Sequence, residues 1–350
     1  MLEFFSASTR MVNSRHAILE CLEAALGTDK KCDLVMLHAS IGHDYLALAD
    51  EVRRQIPGVR VVGASCCGIV GSEGVSESMK DVALMAVRGP ELAVAHVDGI
   101  YGHNAFEKAA ELALELKARQ PGITMIHFLA SGIDIANDRA IAGIESVFGP
   151  EVPIFGATSS DNMRGVISYQ IVDDLVLEHG AWAVGFADPS LEVDTQATHG
   201  FLAVGEPMVV TRAEGTRILE LNGRPAWQEY TSRLGLDPEK ATCGDSIPVG
   251  ALAEELPAAL AEEYGNPHIL RVVTQRDADG TMHYATTIRE GTRLWLTVRD
   301  EDRIFSDMDR MMAAMTARAG GRSPVVVFHA DCLARGRYLF HRMMKEELVE

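Results

Sequence analysis

Two stretches decide the fold, PGVRVVGASCCG at residues 57–68 and GPEVPIFGATSSDN at residues 149–162. In each, a short apolar run leads to a glycine, which is followed by small residues carrying hydroxyl or thiol groups. Gly63 and Gly156 are 93 positions apart. The same shift aligns four further pairs: Pro57 with Pro150, Val59 with Val152, Ala64 with Ala157, and Ser65 with Thr158. Such a match indicates an internal duplication whose copies share a core.

Each stretch closes a longer unit. DLVMLHASIGHDY at residues 33–45 and ITMIHFLASGID at 123–134 are apolar runs, as expected of strands covered on both faces. Apolar residues at helical spacing follow each run, and hairpin-like strands come after each glycine. We therefore predict an α/β protein of two domains, with duplicated βαβ-plus-hairpin units forming mixed sheets with helices packed on them. Both glycines are expected in sharp turns at equivalent places on one pseudo-symmetric sheet.

The composition excludes several classes of function. The chain has 350 residues and a formal net charge of −18, which argues against nucleic acid and anionic membranes as partners. It contains no run of 18 uncharged apolar residues and no secretory leader, so membrane insertion is not expected. Six scattered cysteines without a C-x-x-C pair fit a reducing compartment. The sequence thus predicts a cytoplasmic protein.

The two glycine segments are the predicted ligand site, because loops at the ends of parallel strands are where α/β sheets bind ligands. The expected ligand-binding residues are small or polar and come from both copies: Gly63, Ala64, Ser65, Cys66, Gly156, Ala157, Thr158, Ser159 and Asp161. An alternative is that the glycines serve backbone geometry alone. Neither segment is a phosphate-binding loop or a nucleophile elbow, because the glycine spacing differs.

Two further features could serve a ligand. VVVFHADCLARGR at residues 325–337 is predicted to be a strand followed by Cys332, Arg335 and Arg337, which could pair with a carboxylate or phosphate. Surface solvation is the alternative for both arginines. This strand resembles the first strand of each repeat, so we expect a third copy that stops short of its glycine. His199 precedes a glycine at the predicted domain junction and is the candidate metal or haem ligand.

In their order along the chain, several motifs resemble the FIST family. GASCCGIV at 63–70 and IFGATSSD at 154–161 resemble two glycine motifs of the FIST N-terminal domain, with Phe155 replacing a glycine of the second. ILELNGRPAWQEY at 218–230 and FHADCLARGR at 328–337 resemble parts of the FIST C-terminal domain. The resemblance implies an N-terminal domain over 20–198 and a C-terminal domain over 199–350, truncated at its C-terminal end.

What the resemblance implies is a sensory protein rather than an enzyme. FIST proteins are regarded as intracellular signal-transduction modules for small ligands, with amino acids proposed, so an amino acid or similar molecule is the expected ligand. Some bacterial members bind haem, sense nitric oxide and act on a histidine kinase, which is the alternative function here. A third hypothesis is an enzyme with Cys66 or Cys67 as nucleophile, which requires a histidine in reach. In each sensory case a separate signalling protein carries the output.

Overall fold

The computed structural model describes residues 1–71, 74–161, 166–241 and 251–332. Two compact units divide these residues. The first comprises residues 1–193 and 324–332, and the second comprises 194–323. Both contain strands in sheets with helices packed on them, which confirms the predicted two-domain α/β fold.

The first half of the first unit alternates strands and helices and then ends in a short hairpin and a strand. Its elements are β1 (Glu3–Thr9), α1 (Ser14–Leu26), β2 (Leu34–Ser40), α2 (Tyr45–Gln55), β3 (Arg60–Cys66), β4 (Ile69–Gly71), β5 (Gly74–Ser76) and β6 (Val82–Arg88). Both helices start at capping side chains, because Asn13 accepts a hydrogen bond from His16 N and Asp44 accepts one from Ala47 N.

The second half repeats this order element by element. Its elements are β7 (Leu92–Val97), α3 (Ala105–Arg119), β8 (Met125–Ala130), α4 (Asn137–Phe148), β9 (Ile154–Thr158), β10 (Gln170–Val172), β11 (Leu175–Leu177) and β12 (Ala181–Phe186). Their strand orders are also equivalent: β1-β6-β2-β3 continues into β10-β11 in one sheet, and β7-β12-β8-β9 forms the other. In both sheets the third and fourth strands are parallel and the other pairs within the repeat are antiparallel. The duplication is therefore larger than the sequence match showed.

Three details of the sequence prediction are wrong. The two glycine segments lie on two different sheets, not on one, because each half builds its own. The shift of 93 positions also places residues 81–87 over residues 174–180, which would make β11 the counterpart of β6, whereas the strand orders make β12 its counterpart. Finally, β6 and β7 do not form a hairpin with each other, and neither do β11 and β12, because each pair is divided between the two sheets.

Three apolar cores show that the first unit is a four-layer sandwich. One core lies between α1, α2 and the first sheet, and a second lies between α3, α4 and the other sheet. The third contains residues of both sheets, including Met36 and Val62 from one and Leu129 and Trp182 from the other. The sheets therefore pack face to face, with a helical layer outside each.

Two histidines lie on this inner face. His127 on β8 is buried, and its ring stacks on Phe155 with centroids 4.5 Å apart. His38 on β2 follows Met36 by two residues and so shares its side of the strand. Burial lowers the pKa of His127 to about 3, with a further contribution from His38, and lowers the pKa of His38 to about 4. Both rings are therefore neutral core residues at pH 7.

The second unit is built on one eight-stranded sheet. Its strands are β13 (Phe201–Glu214), β14 (Arg217–Leu221), β15 (Arg224–Pro225), β16 (Leu252–Glu255), β17 (His268–Arg271), β18 (Gln275–Arg276), β19 (Met282–His283) and β20 (Arg293–Arg299). Its helices are α5 (Ala226–Leu234), α6 (Ala258–Tyr264) and α7 (Glu301–Ala319). The strand order is β17-β16-β20-β13-β14-β19-β18, with β15 paired to β14. Trp227 and Tyr230 of α5 anchor its core.

The predicted strand near residue 325 is not formed. Residues 325–332 have no regular secondary structure, so the proposed third repeat is wrong as far as the chain is described. This segment instead belongs to the first unit, where Phe328 packs on Phe155 with ring centroids 4.7 Å apart and on His127 at 5.2 Å. The apolar run that suggested a strand instead places the ring of Phe328 against these two side chains.

No helix within the described ranges is long and apolar enough to cross a membrane.

The buried histidines predict a loss of stability in mild acid. The pKa of His127 is lower in the folded state than its ordinary value near 6.5, so the unfolded chain binds more protons as pH falls below 6.5. The free energy of unfolding should therefore keep its full value above that pH and decline toward pH 4, with His127 contributing a loss of about 3 kcal/mol.

Urea unfolding of His127→Leu should show a weaker pH dependence of this free energy than the wild type. His16→Leu, an exposed control on α1, should not. Equal slopes for His127→Leu and wild type would contradict the assignment.

Candidate functional site

The two signature glycines lie inside strands and not in turns. Gly63 is opposite Leu37 in the parallel pair β2–β3, and Gly156 is opposite Phe128 in the parallel pair β8–β9. A Cβ on Gly63 would lie 2.5 Å from the carbonyl oxygen of Leu37, and one on Gly156 would collide with the carbonyl oxygen of Phe128. Both equivalent positions thus need glycine for the same reason, because the backbone of the neighbouring strand is too close for a Cβ atom.

Immediately after these glycines, the two halves of the unit meet. The backbone N–H of Ser160 donates to the carbonyl of Ser65 at 3.0 Å. The thiol of Cys67 donates to the hydroxyl of Ser160 at 3.2 Å. Residues that follow β3 and β9 on different sheets are therefore in direct contact. The sequence predicted that these two segments act together, and the structure brings them together.

Ser65 is held by the hairpin β10–β11 that covers β3. Its N–H donates to the carbonyl of Tyr169 at 2.9 Å, and its hydroxyl accepts from the Tyr169 N–H at 2.9 Å. Ala64 faces the core between the sheets. Cys66 ends β3 and is half-buried. Of these residues, Cys66 keeps surface for a ligand, whereas Ala64 and Ser65 are buried.

On the second half, the buried residues serve a polar network. The Ser159 hydroxyl accepts from Gln170 Nε2 at 2.6 Å and lies 2.9 Å from the hydroxyl of Ser168. A carboxylate oxygen of Asp161 accepts from Val166 N at 2.8 Å and also from Ile167 N. Both side chains thus order the backbone that follows β9. Ala157 and Thr158 are exposed at the end of β9, which is an edge strand.

An open cleft of about 320 Å³ lies next to the strand ends of the first sheet. Its lining residues come from the β2–α2 connection and from the hairpin: Ile41, His43, Asp44, Tyr45, Leu46, Tyr169 and Val176. The hydroxyl of Tyr45 is buried, and no hydrogen-bond partner of good geometry is found for it among the described residues. Burial raises the pKa of this phenol, and Cys66, Tyr169 and Cys67 raise it slightly further. The nearby side chain of Ser65 lowers the pKa only in part, so the phenol stays protonated. The strand-end site, as we call it, consists of this cleft and the adjoining residues Ser65, Cys66, Cys67 and Ser160.

The sequence reasoning missed the tyrosines of this cleft. Tyr45 begins α2 immediately after the loop that follows β2, so it lies at the same sheet edge as the glycine segments. The rule that parallel strands bind ligands at their carboxyl ends could have found it. Tyr169 could not be found this way, because it precedes a strand whose pairing with β3 is decided by the tertiary fold.

The geometry of His199 does not support the predicted metal or haem role. Both ring nitrogens of His199 are occupied, since Nδ1 accepts from Phe201 N at 3.0 Å and Nε2 lies 3.0 Å from the carbonyl of His268. A haem iron needs a free nitrogen, so His199 does not fit that role in this arrangement. No cluster of three potential metal ligands occurs in the part of the chain that the structure describes. Cys332 is exposed, and Arg335 and Arg337 lie outside the described residues.

The Cys67 thiol is not paired with a histidine among the described residues. A cysteine enzyme pairs its thiol with a histidine base. The Cys67 thiol has Ser160 as its hydrogen-bond partner. The nearby His43 is held by Ser14 Oγ at 3.1 Å and by the carbonyl of Lys80 at 2.9 Å.

Comparison with known proteins decides the family. A model of the FIST N domain matches residues 33–224, and a model of the FIST C domain matches residues 226–350. The chain belongs to the FIST family. FIST domains are sensory domains implicated in signal transduction. Uncharacterised proteins of Mycobacterium bovis and Mycobacterium tuberculosis are each 26% identical to this chain over 193 residues, which is 55% of the chain. The match spans 49% of each of these relatives, about half their length.

The glycine positions predict unequal costs of adding one methyl group. Gly156→Ala should destabilise the protein by about 1–3 kcal/mol or more, because its Cβ would collide with a backbone carbonyl that cannot move without breaking strand pairing. Gly122→Ala, whose Cβ would have no neighbour closer than 3.8 Å, is the matched control and should change stability little. Urea unfolding measures both. Equal effects of the two substitutions would show that Gly156 is not constrained by close approach.

Proposed function

We propose that this FIST protein binds a small ligand, an amino acid or a similar molecule, at the strand-end site and passes the signal to a separate protein. One observation carries the proposal. The buried hydroxyl of Tyr45, without a partner of good geometry among the described residues, lies beside Ser65, Cys66 and Cys67 at the edge of an open cleft. A buried polar group without a partner of good geometry costs free energy. The hydroxyl has almost no accessible surface, so a ligand that shifts the residues covering it would supply the missing hydrogen bond.

The position of the cleft supports a sensory role. The hairpin β10–β11 forms one wall and carries Tyr169 at its start, while the residues after β9 touch Ser65 and Cys67. A ligand that engages Tyr45 and Tyr169 would therefore contact elements that join the two halves of the unit. Ligand binding would then act on both sheets through these hydrogen bonds. A ligand that shifts the unit between two conformations requires such differential contacts.

The output is assigned to a partner, and the protein to the cytoplasm. The residues matched by the family models are sensory domains, so the response is carried by something outside them. A histidine kinase or another signalling protein is the proposed partner, by analogy with the family alone. The acidic composition and the cysteines without disulfides in the described chain fit the cytoplasm. The geometry of His199 gives no support to a haem-based variant of this function, so haem is not part of the proposal.

Removing one hydroxyl tests the ligand site. In a thermal-shift screen of the common amino acids at millimolar concentration, we expect at least one to raise the melting temperature, because it binds the folded state. Tyr45→Phe should then weaken the affinity for that amino acid by about two- to tenfold, the worth of one hydrogen bond. Tyr101→Phe, in the other half of the unit, is the control and should bind as the wild type does. An amino acid whose affinity is unchanged by Tyr45→Phe would place its site elsewhere.

Thr158 tests whether the end of β9 belongs to the same site. Thr158→Tyr should abolish binding of that amino acid and leave the fold intact, since the side chain is exposed and a large ring would fill ligand space instead of the core. Thr28→Tyr is the matched control, because Thr28 is exposed and lies before β2, at the opposite edge of the sheet. Affinity equal to wild type in Thr158→Tyr would exclude the end of β9 from the site.

A further inference from the structure

The lining of the cleft has one sign of charge. Among the described residues that line it, Asp44 is the only acidic one, and none is a lysine or an arginine. Arg53 of α2 turns toward the hairpin β10–β11, where it is within 4.0 Å of a carboxylate oxygen of Asp174. An anionic ligand would thus meet no free cation on the cleft wall, whereas a cationic one would meet a carboxylate.

Asp44 is placed to hold a cation. One carboxylate oxygen caps α2 by accepting from Ala47 N at 3.0 Å, and the residue is exposed. The amino end of a helix attracts anions, and here the protein's own carboxylate occupies that position. The cleft therefore does not present a bare helix terminus to an anionic ligand.

His43 does not offset this preference. Its Nδ1 lies 3.1 Å from the hydroxyl of Ser14, and its Nε2 lies 2.9 Å from the carbonyl of Lys80. The ring is buried, and both nitrogens are used within the protein. A ligand in the cleft would therefore meet the ring of His43 and not one of its N–H groups.

The two tyrosines add the second element of cation recognition. The rings of Tyr45 and Tyr169 have centroids 5.2 Å apart and are inclined at 43°, so they form an angled aromatic wall. The faces of aromatic rings attract ammonium groups, and aromatic cages are a recurring solution for binding them. Ile41, Leu46 and Val176 supply apolar surface for the rest of such a ligand.

We infer that the cleft binds the ammonium group of a small organic amine, with Asp44 as the counter-ion, Tyr45 and Tyr169 as the aromatic wall, and the aliphatic side chains around the apolar substituent. This assignment rests on the proposed function and narrows its ligand to one chemical class. The net charge of −18 also attracts cations and repels anions, which agrees with this assignment.

Three probes of nearly equal shape test the inference: 3-methylbutylamine, 3-methylbutan-1-ol and 4-methylpentanoate, which are cationic, neutral and anionic at pH 7. Affinities are measured by calorimetry on the full chain. Only the amine should bind the wild type, and its affinity should decrease as salt is added, because the attraction is electrostatic. Alcohol or carboxylate binding as tight as the amine would overturn the inference.

Two variants locate the binding. Asp44→Asn keeps a good helix cap and removes the charge, so it should weaken amine binding tenfold or more with little change in the melting temperature of the free protein. Asp50→Asn, an exposed acid on the same helix, should bind as the wild type does. Tyr169→Leu should weaken the amine severalfold. Unchanged affinity in Asp44→Asn, or no binding by any of the three probes, would also overturn the inference.

These outcomes are separable from a failure of the proposed function. If an amino acid binds through Tyr45 while the amine series does not, the ligand site stands and the assignment of ligand class falls. If Tyr45→Phe changes the affinity of no ligand, the proposed site itself is wrong.

Discussion

Face-to-face packing of two sheets is the constraint on which the N-terminal unit depends. Each half of the duplication covers one face of its sheet with two helices and leaves the other face apolar. Neither half could leave that face in water, so the two must pack against each other. Trp182, fully buried on β12, bridges them by donating its indole N–H to the carbonyl of Gly63 at 2.8 Å. That bond joins the centre of one sheet to the signature glycine of the other.

This packing explains why the two glycine segments act at one place although they belong to different sheets. Once the inner faces are in contact, the residues that follow β3 and β9 come within hydrogen-bonding distance, as Cys67 does with Ser160. The two copies nevertheless differ in what covers their fourth strands. The edge of β3 is covered by the hairpin β10–β11, whereas β9 remains an edge strand. The cleft forms on the covered side, because the hairpin brings Tyr169 to it.

The family assignment and the geometry give different kinds of support for function. Membership in the FIST family gives the chain sensory domains, and it says nothing about which residues hold a ligand. The proposed ligand site rests on the side chains instead: the buried phenol of Tyr45, its angled contact with the ring of Tyr169, and the carboxylate of Asp44 lie at one open cleft. His199, by contrast, is fully used in hydrogen bonds of its own unit.

The sequence by itself determined the α/β class, the duplication and the pairing of the two glycine segments, because apolar periodicity and glycine spacing are local properties of the chain. It also pointed to Ser65 and Cys66 as part of one site. Only the tertiary structure decided that the copies form two sheets, that β12 and not β11 is the counterpart of β6, and that Phe328 packs against the core between the sheets without belonging to a strand. Each of these depends on which distant segments share a core, and a local pattern cannot specify that choice. The tertiary structure also decided the cleft. Its two tyrosines, Tyr45 and Tyr169, are separated by more than a hundred residues and meet only because β10 pairs with β3.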